Sequence, residues 1–298
     1  MISILIPSYN YNTLPLVREL HSQAVLENIA FEIIVQDDAS PINTITQTNL
    51  EINDVPNCRF ERNETNLGRG QNRNSLARKA NYSWLLFLDC DIFPKHKNFI
   101  KRYIENSKMD TVKAVYGGII YHKQKPKPDE MLRWIYGKKR EEIPLKKRIQ
   151  FPYKHSLMSN FLVQKDIIQR FPFDEKLFQY GYEDIVLIQE LQHNHIEIAQ
   201  IENAAYHLQL DKSSVFLEKT KHSLANLKLL IDHHIFTDDN TSLVKTYQLI
   251  SKMGLCSITT SIFKKSEGFL TKNLLSETPS LTLFLLYKLG YFSQLNSR

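Results

Sequence analysis

The sequence has 298 residues, 42% of them hydrophobic and 23% charged, the balance of a globular chain with an ample core, which excludes a disordered or low-complexity protein. Lys and Arg exceed Asp and Glu by 38 − 32 = +6, a modest surplus whose position matters more than its size. Three scattered cysteines, Cys58, Cys90 and Cys256, form no CxxC pair, which excludes a disulfide scaffold and a cysteine zinc site and points to a reduced, cytoplasmic setting.

The opening residues, MISILIP, lack the basic leader of a signal peptide. No apolar run approaches the roughly 20 residues of a spanning helix. The expectation is a cytoplasmic protein, with any membrane contact peripheral and on the cytoplasmic face of the inner membrane. SILIP (3–7) is a short apolar run ended by a proline and reads as a buried strand. A helix is expected from Thr13, because Leu16, Val17, Leu20 and Ala24 share one face. FEIIVQ (31–36) is a second strand and runs into Asp37 and Asp38; CRFER (58–62) is a weaker third. NLGRGQNRNSLARKA (66–80) opens with glycines and continues as a basic helix, and WLLFL (84–88) is a fourth strand. Apolar strands alternating with helices predict an α/β fold whose mostly parallel sheet is covered on both faces.

Further along, VYGGIIYH (115–122) reads as one more strand. Residues 123–148 then hold ten Lys and Arg against four Asp and Glu, so the whole surplus of +6 sits in this segment. Beside Trp134 and Tyr136, such a cluster suits an anionic membrane surface or a phosphorylated acceptor, while a solvated, mobile loop is the competing reading. Nucleic acid is excluded as a partner, because no recognition helix or RNA-binding motif accompanies the patch. SLMSNFLVQKDII (156–168) predicts a strand leading into a short helix, and a further helix is expected from Glu183. IEIAQIENAAYHLQL (196–210) reads as paired strands ending at His207. Helices are expected over 213–232 and 242–252, and a last one has Thr278 as N-cap, Pro279 in its first turn and Gly290 as terminator. The run Leu283–Phe284–Leu285–Leu286 is expected to pack on the chain's own core.

In parallel sheets ligands bind beyond the carboxyl ends of the strands. Three predicted strands end there in polar clusters: Ser8-Tyr9-Asn10, Asp37-Asp38 and Asp89-Cys90-Asp91. Asp89 and Asp91 are two apart and would point the same way on extended backbone. Carboxylates so placed need a matching charge. Mg2+ or Mn2+ carrying a nucleoside diphosphate would supply it, while two exposed aspartates in a turn are the competing reading.

SILIPSYNYN, EIIVQDDAS, NLGRGQNRN, LLFLDCDIFP and YGYEDIVLIQEL stand in the order found in family 2 glycosyltransferases of the GT-A fold, and residues 1–230 resemble that family. Bacterial chondroitin-polymerase-type and galactosyltransferase-like members are especially similar. The resemblance implies a nucleotide-sugar-binding half over 1–120, an acceptor-binding and catalytic half over 121–212, and a helical extension over 213–298. It further implies that Pro7, Ser8 and Tyr9 cradle the nucleotide, that Asp38 accepts from the base, and that Arg69 and Arg73 face anionic oxygens. Asp89 would assist both nucleotide and metal. Asp91 and His207 would bind Mn2+ or Mg2+, although a lone histidine after an apolar strand is by itself an ordinary structural residue. Asp184 would be the general base and Glu183 its neighbour orienting the acceptor, with Asn160, Tyr180, Gly181 and Tyr182 walling the acceptor site.

The implied activity is a metal-dependent, inverting transfer of a hexosyl or N-acetylhexosaminyl unit from a nucleotide sugar, UDP-linked, to a glycan or lipid-linked glycan in surface polysaccharide or glycoconjugate biosynthesis. A sugar-nucleotide nucleotidyltransferase would carry a glycine-rich, lysine-bearing loop after the first strand, where this chain has PSYNYN. A non-catalytic partner subunit is the other alternative, and intact Asp89, Asp91, Asp184 and His207 count against it. Peripheral membrane contact is expected through 123–148 or the C-terminal helices.

Overall fold

A computed structural model describes residues 1–175, 181–235 and 241–296. The described residues form two compact units, one within Met1–His122, Glu141–Phe178 and Glu183–Gln209, the other within Lys123–Arg140, Gln179–Tyr182 and Leu210–Arg298.

The first unit alternates strands and helices in its opening half: β1 (Ile2–Ser8), α1 (Leu14–Leu26), β2 (Phe31–Asp37), α2 (Thr44–Leu50), β3 (Cys58–Arg62), α3 (Arg69–Lys79) and β4 (Trp84–Leu88). Short elements follow: β5 (Ile92–Pro94), α4 (Phe99–Ser107), β6 (Ala114–Tyr116) and β7 (Ile119–Ile120). After α5 (Met131–Arg140), which belongs to the second unit, come α6 (Leu145–Gln150), α7 (Pro152–His155), β8 (Asn160–Gln164), α8 (Lys165–Arg170), α9 (Glu183–His193), β9 (Ile198–Gln200) and β10 (Ala205–His207).

Seven strands make one sheet in the order β3-β2-β1-β4-β8-β6-β9. β3, β2, β1 and β4 run parallel, β8 runs antiparallel to both its neighbours, and β9 is parallel to β6. Side chains alternate across it. Ile4, Ile6, Val35, Leu86 and Leu88 join the buried cluster with Leu16, Val17 and Leu20 of α1 and Phe99 and Tyr103 of α4. Leu5, Ile34, Leu85 and Phe87 join the opposite one with Leu76 of α3, Ile167 of α8 and Leu187 and Leu191 of α9. With both faces buried, each such side chain stabilises the fold by about 1.5–3 kcal/mol, which locks the strand register.

Two strand expectations need correction. The run 115–122 is not one strand: it breaks at Gly117–Gly118, where Gly118 has φ +94°. A Cβ on Gly117 would lie 2.3 Å from the Tyr103 hydroxyl and 2.5 Å from the Asn203 carbonyl. The break carries the chain from the large sheet into a second, three-stranded one, β5-β10-β7. Likewise β9 and β10 do not pair with each other. β9 extends the large sheet beside β6, and β10 lies between β5 and β7.

The basic segment is not one loop: residues 123–127 are irregular, but α5 and α6 make up most of the rest. Within it Met131, Leu132 and Arg133 are buried on α5. Arg148 is buried on α6 and donates to the carbonyls of Tyr116, Ile143 and Ile201 and to the Gln200 side chain.

The second unit packs α5 with α10 (Ser213–Asp232), α11 (Ser242–Lys252), α12 (Cys256–Leu274) and α13 (Leu281–Asn296). Its core comprises Leu132, Leu217, Phe263, Leu270, Leu274, Phe284 and Tyr287. α12 falls within the helical extension expected over 213–298, although the sequence reading gives it no bounds of its own; its Phe263, Leu270 and Leu274 share one face. Thr278 and Pro279 precede α13 without starting it. Gly290 lies inside that helix, not at its end, because Phe263 of α12 packs where a Cβ would stand, 2.4 Å away. The run 283–286 is divided: Phe284 is buried, whereas Leu285 and Leu286 are exposed. Among the described residues no helix is long and apolar enough to cross a membrane.

Candidate active site

The parallel strands β1, β2 and β4 deliver Ser8-Tyr9, Asp38 and Asp89-Cys90-Asp91 to one edge of the sheet, where ligands bind in such folds. The expectation that Asp89 and Asp91 point the same way rested on extended backbone. The chain instead turns between β4 and β5, closed by the Ile92 N–H donating to the Asp89 carbonyl at 3.4 Å. The two carboxylates have different ion-pair partners, although His207 also acts on the charge of Asp89.

Asp91 meets His207. β5 and β10 pair antiparallel with His207 opposite Ile92, and the Leu208 N–H donates to the Asp91 carbonyl at 2.8 Å. That register brings Asp91 Oδ2 within 3.6 Å of His207 Nε2. The imidazole stacks on Tyr121, with centroids 5.3 Å apart and planes 15° from parallel. A hard carboxylate oxygen beside an imidazole nitrogen suits Mn2+ or Mg2+. Among the described residues no three His, Cys, Asp or Glu side chains form a complete cage. Two protein donors fit an ion whose remaining ligands come from substrate phosphate and water.

Asp89 turns to Arg73. This arginine of α3 is 1% exposed and donates through Nη2 to Asp89 Oδ1 at 2.8 Å and through Nη1 to Asp184 Oδ1 at 2.7 Å, with Glu183 Oε1 at 3.6 Å. The expectation that Arg73 faces a ligand's anionic oxygens is corrected: its partners are protein carboxylates. A buried guanidinium demands such pairing. Burial opposes its charge, yet Asp184, Asp89 and Glu183 together strengthen its hold on its proton. Burial alone would raise the Asp89 carboxyl, but Arg73 and Arg69 outweigh it and hold Asp89 below the usual carboxylate range. For Asp184 burial prevails. Reinforced by Glu183 and Asp89 and opposed by Arg73, it pushes this carboxyl up to about 6. Its second oxygen accepts from the Met158 N–H at 3.2 Å. Glu183 and Asp184 open α9, where the helix dipole favours carboxylates.

Around this core the other expected residues divide. Tyr9 is 54% exposed at the rim, Ser8 is buried, Pro7 is half-buried, and Arg69 is exposed while its charge reaches Asp89 and Asp184. Asp38 holds a loop: it accepts from the backbone of Leu67 at 2.8 Å and Gly68 at 2.9 Å and from Asn63 at 2.8 Å. Those bonds present α3, and with it Arg73. Asn160 is not a wall residue. It is fully buried, accepts from the Tyr103 hydroxyl at 2.6 Å and donates to the carbonyls of Gly118 and Asn203. Tyr180 lies outside the described residues. Gly181 (φ +95°) and Tyr182 (φ +73°) belong to the second unit, where the Gly181 carbonyl accepts from Asn226 at 2.6 Å and the Tyr182 hydroxyl bonds to Ser223.

Sequence reasoning missed Tyr11. Burial, Asp91 and Cys90 push its hydroxyl up to about 12, so it remains a neutral donor beside the acidic turn. Its position in PSYNYN, one loop from the strand end, was the available signal.

The model of Glycosyl transferase family 2 matches residues 3–170, more than half of the sequence. The chain belongs to glycosyltransferase family 2. An uncharacterized glycosyltransferase of Haemophilus influenzae is 37% identical over 92 residues, a stretch covering 30% of this chain and 29% of that protein. Among solved structures of the GT-A fold, this family 2 chain is similar to S. aureus TarS 1–349 in complex with UDP (TM-score 0.51, 17% identity, 99% of this chain and 90% of that one). It is also similar to the mannosyltransferase PcManGT of Pyrobaculum calidifontis with GDP-Man and Mn2+ (TM-score 0.58, 10% identity, 99% and 85%). Glucosyl-3-phosphoglycerate synthase of Mycobacterium tuberculosis with Mn2+, UDP and glucosyl-3-phosphoglycerate matches with TM-score 0.52 and 15% identity over 76% and 78%. At these identities the likeness is one of fold.

Proposed function

We propose that this family 2 chain is an inverting, metal-dependent glycosyltransferase that moves a sugar from a nucleotide sugar, UDP-linked, to a hydroxyl of a glycan or glycolipid acceptor. The observation carrying this reading is the division of labour at one sheet edge. Asp91 and His207 stand 3.6 Å apart as a pair of metal donors, while Asp184 is held separately on Arg73. The solved relatives that hold UDP or GDP-Man, two of them with Mn2+, support a nucleotide-sugar donor and a divalent ion.

In this reading Asp91 and His207 hold Mn2+ or Mg2+, which when bound supplies the positive charge that stabilises the departing diphosphate. Tyr9 offers an exposed ring at the rim for the base. Arg73 fixes Asp89 and Asp184 at a set distance, and its cation keeps them from repelling each other. Asp184, with its carboxyl pushed up to about 6, is ionised at neutral pH and basic enough to take the proton of the acceptor hydroxyl. That hydroxyl then attacks the anomeric carbon as the bond to the diphosphate oxygen breaks, so the configuration inverts and no enzyme nucleophile intervenes.

The test is release of nucleoside diphosphate from a panel of UDP- and GDP-sugars, with and without Mn2+ and acceptor. Asp184→Asn should lose at least about 100-fold in turnover while still binding UDP. Asp91→Asn and His207→Ala should abolish the strengthening of UDP binding by Mn2+ in calorimetry. Failure of Mn2+ to strengthen binding of any nucleoside diphosphate to the wild type overturns the reading.

A further inference from the structure

Three large apolar side chains of α12 stand in the open: Ile258, Ile262 and Phe269 are 56%, 62% and 67% exposed. Their spacing of four and seven residues puts them on one face. The opposite face carries Phe263, Leu270 and Leu274 into the core of the second unit. Lys265 and Lys272, both exposed and seven residues apart, line one edge of the outward trio. Glu267, the only acidic residue of α12, falls on the inward side and acts on Tyr287 of α13. The sequence from Ser242 to Leu275 has five lysines and one glutamate, 5 − 1 = +4. Leu249 and Met253, 60% and 61% exposed at the end of α11, continue the apolar character just before the Gly254 turn.

We propose that this face of α12 rests on an anionic lipid surface, with Ile258, Ile262 and Phe269 entering the headgroup boundary and Lys265 and Lys272 meeting lipid phosphates. An apolar stripe bordered by lysines on a helix too polar to span is the pattern of an interfacial helix. Positive charge beside the stripe selects a negatively charged bilayer, because each lysine near such a surface adds attraction. A second copy of the chain would bring the lysines of two faces together and leave them unmatched. The docking is independent of which sugar is transferred, and its measurement reads lipid binding rather than turnover.

The experiment is flotation of the full chain with vesicles of phosphatidylethanolamine and phosphatidylglycerol, and with vesicles of phosphatidylcholine alone. The wild type should float with the first and not the second. I262E/F269E, at exposed positions, should keep the circular dichroism and UDP-sugar turnover of the wild type and bind at least about tenfold more weakly. K265Q/K272Q should weaken binding about fivefold per lysine, as should added salt. Wild-type chain that stays with the protein fraction, or I262E/F269E that floats unchanged, overturns the proposal. So does a wild-type dimer in light scattering that I262E/F269E converts to monomer, because a second copy then covers the face.

Discussion

Arg73 donates one nitrogen to Asp89 and another to Asp184 from a site that is 1% exposed, so its charge sets the chemistry of both. Asp184 accepts a proton only when ionised, and turnover should fall about tenfold per pH unit below about pH 6, where this carboxyl titrates. Arg73 is the larger of two cations, with Arg69, that oppose the upward push on Asp184. Arg73→Met should therefore move that acid limb to higher pH by about one pH unit or more, with Arg73→Lys intermediate, as read in pH–rate profiles. A packing defect alone would lower turnover without moving the limb. Asn160→Ala belongs to a different class. It removes one hydrogen bond each from the Tyr103 hydroxyl and the Gly118 and Asn203 carbonyls at a fully buried position and should lower unfolding free energy in urea by about 2 kcal/mol. Both residues were visible in the sequence as polar groups near motifs, but their partners were not. Arg73 lies 111 positions from Asp184 and Asn160 lies 57 from Tyr103, and no local pattern encodes such a meeting.

The helices and strands teach a related lesson about glycine. In α13, Gly290 faces Phe263 with no room for a methyl group, whereas in α12 Gly268 has open space around its Cβ direction. Gly290→Ala should destabilise the protein by about 1–3 kcal/mol through overpacking. Gly268→Ala should stabilise it by up to about 1 kcal/mol through helix propensity. Urea titrations of the two variants should therefore move in opposite directions. A glycine after a helical run reads in sequence as a stop signal, and only the approach of α12 shows Gly290 to be a packing residue. The Gly117–Gly118 break was hidden for the same reason: VYGGIIYH looks continuous until Tyr103 and Asn203 crowd one side of it. Strands β1, β2 and β4 were legible because their burial on both faces requires unbroken apolar runs.

At the scale of the molecule, the chain divides into an α/β unit holding every donor and base group of the proposed site and a helical unit holding the exposed face of α12. Saturating Mn2+ and UDP should act on the first unit. At about 100 times the dissociation constant, linkage adds about 2.7 kcal/mol. Hydrogen exchange of amides in β1, β4 and β5 that open with the whole unit should slow about a hundredfold, while amides of α11 and α12 should hold their rates. The first half of the chain advertised its architecture through alternating strands and helices and an ordered set of motifs. The second unit has no such order. α12 mixes β-branched, small and charged residues, CSITTSIFKKSEGFL, and its helical state depends on what Phe263, Leu270 and Leu274 meet.

β5 lying against β10 brings Asp91 and His207 together, and 207 − 91 = 116 residues of synthesis separate them. At a ribosome's pace of about 5–20 residues per second, the acidic turn emerges roughly 6–23 s before its imidazole. A nascent chain therefore presents carboxylates without their nitrogen partner, and under the proposed reading an ion that needs both side chains is captured only after β10 has been translated.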